Sequence, residues 1–81
     1  MNVRFYGRLA DLLGEQLRPD LAAEGCTIAE LRRLIADAHP AAAAAILGQG
    51  VRAIVGDDVV GDGHMVDGSG TLEFFPPVSG G

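Results

Sequence analysis

Lysine and tryptophan are absent from this chain of 81 residues, and cysteine occurs once. A single Cys26 excludes an internal disulfide framework and any zinc site built on cysteines. The two histidines, His39 and His64, have no Cys or carboxylate partner at metal-ligand spacing, so no metal site is expected. No apolar run approaches the ~20 residues of a membrane span. The opening Met-Asn-Val-Arg-Phe-Tyr-Gly lacks the basic-then-apolar layout of a signal peptide, so a cytoplasmic location without membrane contact is expected. All six cations are arginines, against eleven acids, for a net charge of -5. The sequence pI of ≈ 4.6 argues against nucleic acid as a partner, because nucleic acid demands a basic face. The missing lysines follow from a composition rich in Ala, Gly and Arg, and their chemical effect is a chain with no side-chain amine to meet an activated acyl group.

What is present suits one small domain. A chain of this size buries only about 60% of its unfolded surface, which allows one small core. Hydrophobic residues make up 48%, enough to fold. The acids are uneven: residues 1–40 hold five Arg against six acids, whereas residues 41–81 hold Arg52 alone against Asp57, Asp58, Asp62, Asp67 and Glu73. A partner of the second half should carry a basic surface.

Residues 2–6 alternate as a first strand, with Val3 and Phe5 on one face and Arg4 and Tyr6 on the other. Arg8 to Leu13 reads as a short helical turn stopped by Gly14. Gln16 to Leu21 reads as a weak strand at a sheet edge, since Pro19 has no N–H for a ladder. Thr27-Ile28-Ala29-Glu30 has the capping-box form. Behind it Ile28, Leu31, Leu34, Ile35 and Ala38 recur at helical spacing, with Arg32, Arg33 and Asp37 expected on the surface. His39-Pro40 ends that helix, and Pro40 starts a further turn over 41–47. Residues 51–55 and 59–60 read as strands, 61–70 as loops, and 71–75 as a last strand. One main helix on one small mixed sheet is an α+β layout.

No conventional active site assembles from these residues. Ser69 and Ser79 lack a nucleophile elbow. Gly61-Asp62-Gly63 is a turn signal and not a phosphate cradle, and Asp57-Asp58 is a turn pair. Cys26 precedes the capping Thr27, near a helix N-terminus where a thiolate would be stabilised, though a small half-buried thiol is the simpler expectation.

The C-terminus is different. A strand ending in Phe74-Phe75 runs into Pro76-Pro77, then Val78-Ser79, then Gly80-Gly81. Pro-Pro cannot extend the ladder and favours an extended path. Residues 76–81 therefore read as a tail on a domain of residues 1–75, with a reach of about 20 Å. Gly80 and Gly81 carry no side chains, so the tail is thin enough for a narrow channel. The Gly81 carboxylate stands beside an unbranched Cα, the least hindered site for activation.

Phe74-Phe75-Pro76-Pro77-Val78-Ser79-Gly80-Gly81 resembles the terminal signature of the small subunit of molybdopterin synthase, a ubiquitin-like sulfur carrier of the MoaD/ThiS type. Leu-Leu-Gly at 12–14, Thr-Ile-Ala-Glu-Leu at 27–31 and Asp67-Gly68 extend the similarity over the whole chain. One departure is Ser69-Gly70, where that family carries acidic residues. The resemblance implies a β-grasp fold, a mixed sheet packed on one main helix. It implies that an E1-like adenylating enzyme uses ATP to convert Gly81 to an acyl-adenylate. A sulfur donor of the cysteine desulfurase or rhodanese type then leaves a thiocarboxylate. The large synthase subunit, in a heterotetramer, would accept Pro76, Pro77, Val78, Ser79 and Gly80 and pass the sulfur of Gly81 to a cyclic pterin precursor. The chain would supply the reacting group with no active site and no permanently bound cofactor of its own. In a β-grasp fold the first and last strands lie side by side, so Tyr6 and Phe75 are expected as exposed aromatics that anchor the partner. Carriers for thiamine or tRNA thiolation share the fold and the Gly-Gly end. A ubiquitin-like protein modifier and a plain interaction module are the alternatives from other classes.

Overall fold

Alternating apolar residues build the centre of the sheet. Val3 and Phe5 share one parity in β1 (Asn2–Phe5), and Leu72 and Phe74 share one parity in β7 (Thr71–Phe75). The two strands pair in parallel, Val3 opposite Leu72 and Phe5 opposite Phe74. All four side chains are buried, and the Phe5 and Phe74 rings stack 6.0 Å apart. A computed structural model describes residues 1–77 of the chain.

The remaining strands extend this pair. β2 (Gln16–Leu17) pairs antiparallel with β1. β4 (Arg52–Val55) pairs antiparallel with β7, and β5 (Asp58–Val60) forms a hairpin with β4. The sheet order is β2-β1-β7-β4-β5. A separate two-stranded ladder joins β3 (Cys26–Thr27) to β6 (Met65–Val66). Helix α1 (Arg8–Leu13) follows β1, and the main helix α2 (Ile28–Ala38) packs its buried side on the sheet. A 3-10 turn at Pro40–Ala42 leads into α3 (Ala43–Ile46). This is the expected α+β arrangement, a β-grasp fold.

Several expectations need correction. The second strand stops at Leu17, before Pro19, which cannot donate to the ladder. The first strand ends at Phe5, one residue short of Tyr6. The glycine-rich stretch 61–70 holds β6, a strand only two residues long whose partner, β3, is equally short. On α2 the buried positions are Ile28, Leu31, Ile35 and Ala36, while Leu34 and Ala38 are exposed. Arg32, expected on the surface, falls on the flank between Ile28 and Ile35, and its side chain is 12% exposed.

The start of α2 is closed on all sides. Thr27 Oγ1 accepts from the Glu30 amide at 3.1 Å, and Glu30 Oε1 accepts from the Thr27 amide at 2.9 Å. The Ile28 and Ala29 amides donate to the carbonyls of His64 and Asp62. The orphan donors of the first turn thus find partners in the capping box and in the turn before β6. The hydrogen bonds from Thr27 hold the Glu30 carboxyl below the usual carboxylate range.

Two stability outcomes follow. Phe74→Ala should cost about 3–5 kcal/mol, a large share of the ~5–15 kcal/mol that holds a small domain folded. Thr27→Ala should cost about 0.5–2 kcal/mol by denaturant unfolding at neutral pH. The depressed Glu30 value adds stability above its unfolded value, and that part is lost as pH falls through the folded one. The gap between wild type and Thr27→Ala should therefore narrow in acid. A constant gap would show that the Thr27 hydroxyl does not bond to the Glu30 carboxylate.

Candidate functional site

Parallel pairing sets where the tail leaves. β7 runs beside β1 in the same direction, so Phe75 emerges next to Tyr6. Their rings stack 4.3 Å apart at an interplanar angle of 3°. They are half-buried rather than exposed, because each ring covers the other. The Tyr6 hydroxyl donates to the Glu73 carboxylate, two residues back along β7. That bond, followed by burial and the Glu73 charge, pushes the Tyr6 phenol above its ordinary value, so it stays a neutral donor. Arg52 stands opposite Phe75 on β4, and Arg4 stands beside Glu73 on β1. Two arginines, one carboxylate and the aromatic pair thus cluster at the end of the sheet where the tail begins.

Pro76 and Pro77 pass between two glycines that the sequence did not single out. A Cβ on Gly7 would lie 2.9 Å from Pro76 Cγ, and a Cβ on Gly50 would lie 3.0 Å from Pro77 Cβ. Both glycines have positive φ, +57° and +88°. Gly7 follows β1 and Gly50 precedes β4, the two strands that flank β7. The legible signal was therefore positional: a glycine at the tail end of each strand neighbouring the last one. Together they form a collar around the root of the tail. Val78, Ser79, Gly80 and Gly81 lie outside the described residues.

Other sequence candidates stand apart from this collar. Cys26 is half-buried in β3, and burial, with the Glu30 charge, pushes its thiol up. A thiolate poised by the helix N-terminus is not what the environment gives. His39 ends α2 and His64 sits before β6. Among the described residues no three His, Cys, Asp or Glu side chains gather as a metal-binding group. Asp67 accepts from the Ser69 hydroxyl at 2.6 Å and the Ser69 amide at 3.0 Å, which hold its carboxyl below the usual range. Ser69 thus closes the loop before β7. An open groove of ≈ 780 Å³ along α2, lined by Leu21, Cys26 and Leu34, shares no residue with the collar. No described helix is long and apolar enough to cross a membrane.

The collar has matched controls within the chain. Gly14 (φ +87°) and Gly56 (φ +63°) repeat the backbone demand of Gly50 and Gly7 with nothing within 4 Å of an added Cβ. Alanine at any of the four should cost about 1–3 kcal/mol in backbone strain. Only Gly7→Ala and Gly50→Ala should also displace the Phe75–Pro77 resonances in NMR spectra. Equal displacement by Gly14→Ala or Gly56→Ala would remove the collar from the account.

The chain matches the family model described as "ThiS family" over residues 3–81. No curated protein matches it. Among solved structures, a candidate molybdopterin converting factor, subunit 1, from Pyrococcus furiosus superposes with a TM-score of 0.79 at 23% identity, covering 95% of each chain. SAMP1 from Haloferax volcanii superposes with a TM-score of 0.77 at 22% identity, covering 99% of this chain and 97% of that one. Small archaeal modifier protein 1 of H. volcanii gives 0.76 at 20% identity, with 95% of each chain covered. These likenesses are of fold. A β-grasp domain whose first and last strands pair at its centre, matched by one family model over nearly its whole length, belongs to the ThiS family.

Proposed function

We propose that this chain is a sulfur carrier that works through Gly81, as the small subunit of a molybdopterin synthase. One observation carries most of this: a Phe-Phe-Pro-Pro-Val-Ser-Gly-Gly tail leaves the central strand through a glycine collar beside a stacked aromatic pair. The likeness to the candidate converting factor of P. furiosus and the ThiS-family match support it.

The chemistry divides between carrier and partners. The Gly81 carboxylate is a poor electrophile. An E1-like adenylating enzyme joins its oxygen to the α-phosphorus of ATP and releases pyrophosphate. The acyl carbon then bears AMP as a good leaving group. The terminal sulfur of the donor's persulfide displaces AMP to form an acyl disulfide. A second thiol then cleaves its S–S bond, leaving a disulfide on the donor side and the thiocarboxylate on Gly81. That group is ionised at neutral pH and is a sulfur nucleophile toward a cyclic pterin precursor. The large subunit supplies acid–base and oxyanion-stabilising groups. The carrier presents a sulfur atom on a thread with no side chains in its last two residues.

Docking uses the end of the sheet where the tail starts. Tyr6 and Phe75 offer one rigid aromatic surface, preorganised by stacking and by the bond to Glu73. The acids of residues 41–81 favour a partner with a basic surface.

A second function, protein modification through an isopeptide at Gly81, draws on the likeness to small archaeal modifier protein 1. Carriers for thiamine or tRNA thiolation share the same tail chemistry. Reconstitution separates these. Thiocarboxylated chain, the large subunit and the cyclic pterin precursor should yield molybdopterin, and a chain lacking Gly81 should yield none. Product from the truncated chain, or conjugate ladders in cells without pterin product, would overturn the assignment. Phe75→Ala should weaken binding to the large subunit more than it lowers stability. A stability loss that accounts for the whole binding defect would remove the aromatic pair from the interface.

A further inference from the structure

Arg32 connects the main helix to the collar. It is on α2, yet none of its side-chain hydrogen bonds among the described residues is to that helix. Its Nε donates to the Ile46 carbonyl at 2.7 Å, its Nη2 to the Gly48 carbonyl at 2.7 Å, and its Nη1 to Asp62 Oδ1 at 2.9 Å. The two carbonyls belong to the end of α3 and the turn after it, where helical acceptors are left without partners. Only a guanidinium presents donors in a planar fork that can hold two carbonyls and a carboxylate at once.

The turn it holds is otherwise soft. Gly48-Gln49-Gly50 has two glycines in three residues. Among the described residues, no other side chain hydrogen-bonds to it. Gly50, two residues beyond the carbonyl that Arg32 grips, is the wall against Pro77. β4 begins at Arg52 and fixes the far end of the turn. The position of Gly50 thus depends on one rigid strand on one side and one guanidinium on the other.

We infer that Arg32 is a positioning residue for the root of the tail: it fixes the 46–50 turn, so that Gly50 holds Pro77 and sets the direction in which the chain leaves that residue. The functional consequence rests on the carrier role proposed above. Asp62 pairs with the guanidinium and, among the described residues, its side chain has no hydrogen bond to the turn, so its contribution is secondary.

The test has two arms on the full chain. In the first, NMR spectra of Arg32→Met, Arg32→Lys and Asp62→Asn are compared at Gly50 and Phe75. Arg32→Met keeps the stem and loses all three bonds, so both resonances should move. Arg32→Lys lacks the fork and should give a smaller shift in the same direction. Asp62→Asn keeps both carbonyl bonds and should leave them in place. In the second arm, an E1-like adenylating enzyme acts on each chain with ATP, read by pyrophosphate release. Misdirected tails dock normally but enter the enzyme poorly, so kcat should fall about tenfold to a hundredfold for Arg32→Met while KM holds. Simple loss of folded chain gives the opposite pattern, a raised apparent KM at unchanged kcat. The inference is overturned if Gly50 does not move in Arg32→Met, or if only KM changes. Should Arg32→Met fail to fold, the graded shift in Arg32→Lys decides. A native chain that is not adenylated at all would refute the carrier role, and the NMR arm would still decide whether Arg32 places the tail root.

Discussion

The parallel pairing of β1 with β7 at the middle of the sheet is the constraint on which the rest of the structure depends. It brings residues 2–5 and 71–74 into register, so the core needs both halves of the chain. Phe5 and Phe74 stack beneath the sheet, while Tyr6 and Phe75 stack at its far end. Burying each large side chain of the central pair contributes about 1.5–3 kcal/mol, which is substantial for a chain this short. The same pairing makes the tail emerge beside Tyr6 and Gly7, not at an arbitrary edge.

In the proposed function a small core and a remote reacting group are two sides of one design. A domain of this size has little interior to spare for a buried catalytic centre. Chemistry on a terminal carboxylate, as proposed, would remove that demand and leave the domain to do recognition and presentation. In that proposal recognition falls to a rigid aromatic pair and an acidic half-chain. Presentation would fall to the collar of Gly7 and Gly50, which accept close contact with Pro76 and Pro77 because they have no side chains. Arg32 ties the Gly50 side of that collar back to the helix.

Much of this was legible from residues alone. The alternation of residues 2–6, one residue longer than the strand observed, that of 71–75, the capping box at Thr27 and the halt at Pro40 are local rules, and each produced the expected element. The parity that placed Val3 and Phe5 on one face matches their burial. What escaped was non-local. The ladder of Cys26–Thr27 with Met65–Val66 is too short to show a period and exists because the segments meet. Arg32 reads as a surface cation until the chain after α3 folds back over it. The collar depends on glycines nearly the length of the domain away from the prolines they touch in one case, and on a turn 27 positions before Pro77 in the other. Tyr6 and Phe75 were placed together correctly, but mutual stacking makes them half-buried where exposure was expected.

The central claim is that sulfur rides on Gly81. Its most direct test is the intact mass of the chain after incubation with an E1-like adenylating enzyme, ATP and a sulfur donor, followed by fragmentation of the C-terminal peptide. The account predicts the exchange of one oxygen for one sulfur, located at Gly81 and dependent on ATP. An unchanged mass, or sulfur located on Cys26, would contradict it.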